Sequence, residues 1–333
     1  MKLIGVAEGS GVPILDRMPF VPKKEGVNIL EDVDTPDECS DVLVVKDAMA
    51  IAAHNEDANV ALIANFEDGL SYTAYTYAGE LPTCAFGFNT YEVAFTLNSV
   101  APLEEEIVAG AIGRNFVSRD LLEATSISDA IENHLNQKTK LMIRPVNASY
   151  FGHPSNHVQI GGSQDSNLGS HGDRVTEGSD IIESSHQLYL LVITTISNLI
   201  DIPSRKIINV EAASKNRISV YEIGSTPFFH ANMYLHLQVP QVITVKGIDI
   251  QKRSSFSQKT VKAASLPKET KDDFLSVLGN TDDDKYPLYT TGPKLYTLCT
   301  AVFDLGTPSL SIIEGNPKEG RTAHVFHMTR NGS

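Results

Sequence analysis

Short apolar runs recur along this chain in adjacent pairs, each pair joined by a few turn residues, and no other feature limits the fold as strongly. Val42–Val45 and Ala48–Ala53 flank Lys46-Asp47 and read as two buried strands around a tight turn. Leu70–Tyr77 alternates as a strand does, with Tyr72, Ala74 and Thr76 opposite Thr73, Tyr75 and Tyr77. Ala85–Phe88 and Val93–Asn98 continue the sheet across a turn. Ile207–Glu211 pairs with Ile218–Glu222 across Ser214–Asn216, and Leu298–Phe303 with Leu310–Ile313 across Gly306–Pro308. Two stretches carry helical spacing instead: Arg119–Leu135, with Ser128 as a cap inside the run, and Pro267–Leu278, which stops at Gly279. Hairpins separated by helices, without strand–helix–strand alternation, point to an antiparallel α+β layered fold.

Charge and cysteine content exclude several classes. A formal net charge of -14 over 333 residues is the wrong sign for a protein that grips nucleic acid through a basic face. Three cysteines, Cys39, Cys84 and Cys299, are too few for a disulfide scaffold. The longest apolar stretch, Leu188–Ile196, breaks at Ser197-Asn198 and is too short to span a bilayer. The first twenty residues lack the basic start and apolar block of a secretory signal, so a cytoplasmic chain without a membrane partner is expected. Glu31–Glu38 is an acidic run of the kind found in solvated loops. Asn147–His186 is dominated by Ser, Gly, Asn, Asp and His without a lasting period, and low order is expected there.

Several candidate chemistries are weak. His54-Asn55-Glu56 has the H-x-E of zinc nucleobase deaminases, but the two thiolates that chemistry needs are missing around Cys84. His153, His157, His171 and His186 are irregularly spaced among polar residues, which argues for a solvated loop over a metal site. Asn147-Ala148-Ser149 is a glycosylation sequon that matters only in a secreted chain. Gly110-Ala111-Ile112-Gly113 lacks the third glycine and the preceding strand of a phosphate loop. Cys39 is different, because it stands where the acidic run meets a buried strand. The hairpin it opens returns at Asp57, so a thiol and a carboxylate are brought to one end. Taken on residue types alone, this is a minor constellation for a nucleophile.

Further motifs extend it. Cys39-Ser40-Asp41 and Ala53-His54-Asn55-Glu56-Asp57 are followed by Tyr77–Pro82, Phe86–Asn89, Phe95–Val100, Gly113–Leu122, Asn209-Val210-Glu211, Phe229–Leu235 and Gly315-Asn316-Pro317. In this order they resemble the acyl-coenzyme A:6-aminopenicillanic-acid acyltransferase family of N-terminal nucleophile hydrolases, and its plant members most. The resemblance implies a four-layer αββα sandwich of antiparallel sheets, with Cys39 starting a central strand. It implies a truncated pro-segment over 1–38 and a hydrolase or acyltransferase domain over 39–333, carrying a low-order insertion at about 140–195. Self-cleavage between Glu38 and Cys39 would free an α-amine to act as base for the Cys39 thiol. Asp57 would orient that amine, and Asn98 and Asn232 would donate to the oxyanion.

The expected substrate is a small-molecule amide or thioester, with an acyl-coenzyme A as a further donor and with neither metal nor prosthetic group. Oligomeric state stays open. The chain departs from the family pattern in having Glu38 before the nucleophile, a shorter Val60–Asp68 stretch, and Asn136–Thr195 in place of a short link. Two alternatives stand beside the enzyme. One is a non-catalytic scaffold or binding protein derived from the family through an incomplete chain. The other is an ordinary thiol hydrolase that uses His54 or His230 as base in the uncleaved chain.

Overall fold

Glu38–Val45 (β1) and Ala50–Asp57 (β2) form an antiparallel hairpin in which Cys39 faces Glu56, Asp41 faces His54 and Leu43 faces Ala52. The turn is closed by paired backbone bonds between Lys46 and Met49. The computed structural model describes residues 38–57, 62–68, 70–76, 85–100, 103–106, 114–135, 195–241, 244–245, 248–249, 269–284, 287–292 and 296–328. The expected pro-segment up to residue 37, the insertion up to residue 194, Cys84, Gly110–Gly113 and the sequon lie outside them.

Two antiparallel sheets form the framework of the described residues. Leu62–Asp68 (β3), Leu70–Thr76 (β4), Phe86–Asn89 (β5), Val93–Ser99 (β6), Thr195–Asp201 (β7), Lys206–Ala213 (β8) and Arg217–Glu222 (β9) form one sheet in chain order. The other contains β1 and β2 with Phe228–His230 (β10), Thr297–Asp304 (β13), Ser309–Glu314 (β14) and Arg321–His327 (β15), in the order β10-β1-β2-β13-β14-β15. Thr244–Val245 (β11) and Ile248–Asp249 (β12) form a separate two-stranded pair. Both large sheets belong to one compact unit, residues 28–137 and 190–333. Lys215 and Asn216 between β8 and β9 both have φ near 60°. They lie in the three-residue loop Ser214–Asn216, where a tight reversal between right-twisted strands calls for left-handed backbone.

Side-chain alternation explains the layers. Successive residues of a strand point to opposite faces, so a run that is apolar at every position buries both. Leu43 and Ala52 turn toward Phe86, Ala94, Ile200 and Ile207 of the other sheet, while Val42, Val44, Ile51 and Ala53 turn outward onto the helix Lys271–Leu278. Phe95, Leu97, Leu199 and Val210 face the other way, onto Leu121, Leu122 and Ala130. The result is helix, sheet, sheet, helix. Each fully buried Phe or Leu adds about 1.5–3 kcal/mol to holding these layers together.

The helices depart from the expected boundaries. The run expected as one helix over Arg119–Leu135 is two, Arg114–Leu121 (α1) and Ile127–Leu135 (α2). Asp129 and not Ser128 makes the break local: its backbone N–H donates to Ser126 Oγ, and its carboxylate accepts from Thr125 N–H. Such side-chain bonds compete with a continuous helical ladder. Lys271–Leu278 (α3) starts after Thr270, whose hydroxyl and backbone exchange bonds with Asp273 as a capping box. Ser197-Asn198, where the apolar stretch breaks, is the middle of β7, a central strand. No helix among the described residues is long and apolar enough to cross a membrane.

Candidate active site between the sheets

The inward positions change character halfway along the strands. Toward one end they are Leu43, Ala50, Ala52, Ala94, Ile200 and Ile207, and toward the other they are mostly polar, with Ile196, Cys299 and Ala301 among them. β1 continues with Asp41 and Cys39, β2 with His54 and Glu56, and β6 with Thr96 and Asn98. β7 and β8 follow with Asn198, Asn209 and Glu211. All are buried. A sandwich whose interior is dry at one end and polar at the other has a place for chemistry built into it, provided the polar groups are partnered.

Cys39 is 5% exposed and sits at the start of β1. Its backbone N–H donates to Asn232 Oδ1 at 3.0 Å, and Asn232 Nδ2 donates to the Ser99 carbonyl at 3.0 Å. These two partners fix the amide orientation, since an N–H calls for the oxygen and a carbonyl for the nitrogen. The expected geometry had the Asn232 N–H aimed at the thiol. Here the amide oxygen faces the Cys39 nitrogen, from just beyond the end of β10. The Asn232 amide ties β1 to the end of β6, where Asn98 lies beside Ser99. Neither side-chain polar atom of Asn98 has a hydrogen-bond partner among the described residues, although Asn98 is fully buried. Asp57 pairs in register with Glu38, one step from Cys39. Alternation turns its carboxylate to the sheet face opposite the thiol, and its charge is felt by Tyr289. What Asp57 flanks is therefore the Glu38–Cys39 peptide.

A charged relay runs behind the thiol. Cys39 Sγ donates to Glu56 Oε2 at 3.5 Å, and the same oxygen accepts from His54 Nε2 at 2.9 Å. His54 Nδ1 lies 2.9 Å from Asp41 Oδ1, which also accepts from Thr96 Oγ1 at 2.9 Å across the inter-sheet layer. Asn198 donates to Thr96, and Asn209 to Asn198. Burial alone would push His54 down, but the charge and hydrogen bond of Asp41, joined by those of Glu56, outweigh it and raise it from 6.5 to about 10. His54 is thus an imidazolium between two carboxylates. Ligand atoms of Cys39, His54 and Glu56 lie within 4.8 Å of one another, with the donor types of a metal site. Both imidazole nitrogens, however, are spent as donors to carboxylates, which leaves no lone pair to coordinate. The same fact removes His54 as a base for the thiol.

His230 serves another end. Its Nε2 meets Glu211 Oε1 at 3.1 Å, and Glu211 also accepts from the backbone N–H groups of Leu235, His236 and Leu237 at 2.6, 3.0 and 2.8 Å. Burial would raise Glu211, but the His230 bond and these backbone donors overcome it and lower it. The segment carrying Asn232 is anchored in this way. Cys299, at the inner face of β13, has its thiol pushed up to about 12, first by burial and then by the Glu56 and Asp57 charges against the opposing Tyr75 bond. It is a core thiol.

Sequence reasoning quoted Asp41, Thr96, His54 and Glu56 within its motifs but gave Asp41 and Thr96 no role, Glu56 only that of a deaminase proton shuttle, and His54 only a place in that motif or that of a rival base. The signal was the period of two: Cys39-x-Asp41 and His54-x-Glu56 place four functional groups on one face once the hairpin register is known.

Among solved structures, an N-acylethanolamine-hydrolyzing acid amidase orthologue from Caenorhabditis elegans is similar at 12% identity with a TM-score of 0.43, covering 81% of this chain and 94% of that one. A conjugated bile acid hydrolase from Clostridium perfringens follows at 12% identity and a TM-score of 0.36, covering 88% and 98%. A penicillin V acylase from Agrobacterium tumefaciens has 9% identity and a TM-score of 0.36, covering 83% of each chain. No curated protein matches. Residues 44–143, which begin five positions after Cys39 and contain His54–Asp57 and Asn98, match the acyl-coenzyme A:6-aminopenicillanic acid acyl-transferase family, the family that the motifs resemble.

Proposed function

We propose that this chain is a cysteine N-terminal nucleophile enzyme that hydrolyses or transfers an acyl group at an amide or thioester. The observation that carries this reading is Cys39 at the head of β1, in the polar half of the inter-sheet layer, with Asn232 bonded to its nitrogen at 3.0 Å. Cleavage between Glu38 and Cys39 turns that nitrogen into an α-amine, whose pKa near 7.7–8.0 suits a base working close to neutrality. The amine takes the thiol proton, and the sulfur attacks the substrate carbonyl. Asp57, flanking the new terminus, orients the amine.

The tetrahedral oxyanion needs preorganised donors. Asn98 supplies an amide with no competing partner among the described residues, and Asn232 Nδ2 lies in the same corner. Each such donor contributes roughly 10²–10³ in rate. Collapse breaks the bond to the leaving amine or thiol, which takes the proton back from the Cys39 ammonium, and leaves an acyl-thioester on Cys39 that water or an acceptor amine then resolves. An acyl-coenzyme A fits as donor because a thioester exchanges onto a thiol without a change of oxidation state. Acyl release from a panel of N-acyl amines, measured with and without coenzyme A, tests the reading. Release by the wild type and none by Cys39→Ala supports it; release that survives Cys39→Ala refutes it.

A further inference from the structure

The α-amine of Cys39 is the base for turnover, but it does not exist before the chain has been cut. In the intact chain that nitrogen belongs to the Glu38–Cys39 peptide bond, where resonance takes up its lone pair. The first acyl transfer this site performs, on its own backbone, therefore requires a different proton acceptor. His54 does not qualify, since both its nitrogens donate to carboxylates at 2.9 Å. A group that does touch the thiol is Glu56. It faces Cys39 directly across the β1–β2 ladder, and its Oε2 accepts from Sγ at 3.5 Å. Both side chains are buried, Cys39 at 5% exposure and Glu56 at 1%. A buried carboxyl needs a polar partner, and His54 Nε2 at 2.9 Å from the same oxygen is one.

We propose that Glu56 is the general base of self-cleavage at Glu38–Cys39, and that it hands this role to the Cys39 amine once the bond is cut. The inference rests on the reading of the chain as a self-processing nucleophile. Glu56 takes the proton from Sγ, and the sulfur bonds to the Glu38 carbonyl carbon, giving a tetrahedral oxyanion. Collapse breaks the C–N bond, and the Cys39 nitrogen, held by Asn232 Oδ1, recovers the proton from Glu56. The product is a thioester between Glu38 and Sγ. Water hydrolyses it to a Glu38 carboxylate and a free thiol beside a free amine. A carboxylate is intrinsically a weaker base than a thiolate, so the proton transfer runs uphill. That mismatch is tolerable for a reaction that happens once per molecule. It is a reason for turnover to use the better-matched amine.

The test is the rate at which freshly translated full-length chain splits into a fragment ending at Glu38 and one beginning at Cys39, followed on denaturing gels. Glu56→Gln, which keeps the shape and loses the base, should slow splitting by about 10²–10⁴-fold, with Cys39→Ala remaining whole. Glu56→Ala should be slow and should recover when formate or acetate is added, since a small carboxylate fits the space that the side chain leaves. Circular dichroism checks that each variant is folded. Splitting of Glu56→Gln at the wild-type rate overturns the proposal. So does slow splitting of a folded Glu56→Ala that no added carboxylate restores, because the loss would then be one of shape. A wild-type chain that never splits refutes the self-processing reading itself, an outcome distinct from either.

Discussion

Replacing His54 by Gln removes the only cation among the described groups bonded to Asp41 and Glu56, and the consequence can be worked out from the site. His54 is 0% exposed and meets each carboxylate at 2.9 Å. Gln can donate to one of them but carries no charge, so two buried carboxylates are left facing each other. Breaking a buried ion pair from one side costs about 3–5 kcal/mol, which for a domain of this size is a fall in Tm on the order of 10 °C.

The pH dependence separates this from simple loss of packing. The His54 pKa is raised in the fold, from 6.5 to about 10. Its stabilisation is therefore complete below 6.5 and is lost as pH rises through 10. Over that window the folded state binds up to one more proton than the unfolded state, and stability falls by up to about 1.4 kcal/mol per pH unit. Urea unfolding at half-unit steps between pH 6.5 and 10 measures it, with His54→Gln as the reference that cancels the titration of other groups. The wild-type advantage should be largest near pH 6.5 and should shrink steadily. Parallel curves for the two proteins would mean that His54 is neutral in the fold and would refute the relay.

Other consequences follow from the same corner. Cys299, its thiol pushed up to about 12 by burial, should resist iodoacetamide at pH 8 in the folded protein, whereas peptide mapping should find the label on Cys39, and Cys39→Ala in a Cys84→Ala background should abolish it. Asn98→Leu should raise stability by about 1–3 kcal/mol, read from chemical denaturation, because both polar atoms of the buried amide lack partners among the described residues. The same substitution should cut acyl transfer by roughly 10²–10³, so that stability and rate move in opposite directions. Glu211→Gln weakens the anchor of three backbone N–H groups and His230, and should cost about 3 kcal/mol in thermal unfolding.

The hairpins could be read from sequence because their signal is local: alternation on either side of a turn, as in Val42–Ala53 and Ile207–Glu222. Elements whose stability comes from afar could not. β7 carries Ser197 and Asn198 in its middle, which on a local view end an apolar run. Asn198 is tolerated there because Thr96, far away in sequence, and Asn209, across the β7–β8 hairpin, satisfy its side chain. The break between α1 and α2 was hidden because Leu121, Leu122, Ile127, Ala130 and Ile131 keep a helix-like spacing across it. β15 runs along the edge of its sheet, mostly exposed, and offers neither apolar alternation nor a tight turn.

The site divides in the same way. Cys39, Asp57, Asn98 and Asn232 stood out through motifs spread along the chain. Asp41 and Glu56 acquire meaning only from the register that sets Asp41 against His54 and Glu56 against Cys39. The Asn232 orientation depends on the Ser99 carbonyl, a backbone group that residue identity does not reveal.

The central claim is that Cys39 becomes the first residue of a fragment and carries the acyl group. Mass spectrometry of the purified full-length product, before and after treatment with a short-chain acyl p-nitrophenyl ester, addresses it in one experiment. The account predicts a fragment starting at Cys39 that gains one acyl group, located on Cys39 and not on Cys299. An uncut chain of 333 residues that gains no acyl group, or an acyl group on Cys299, would contradict it.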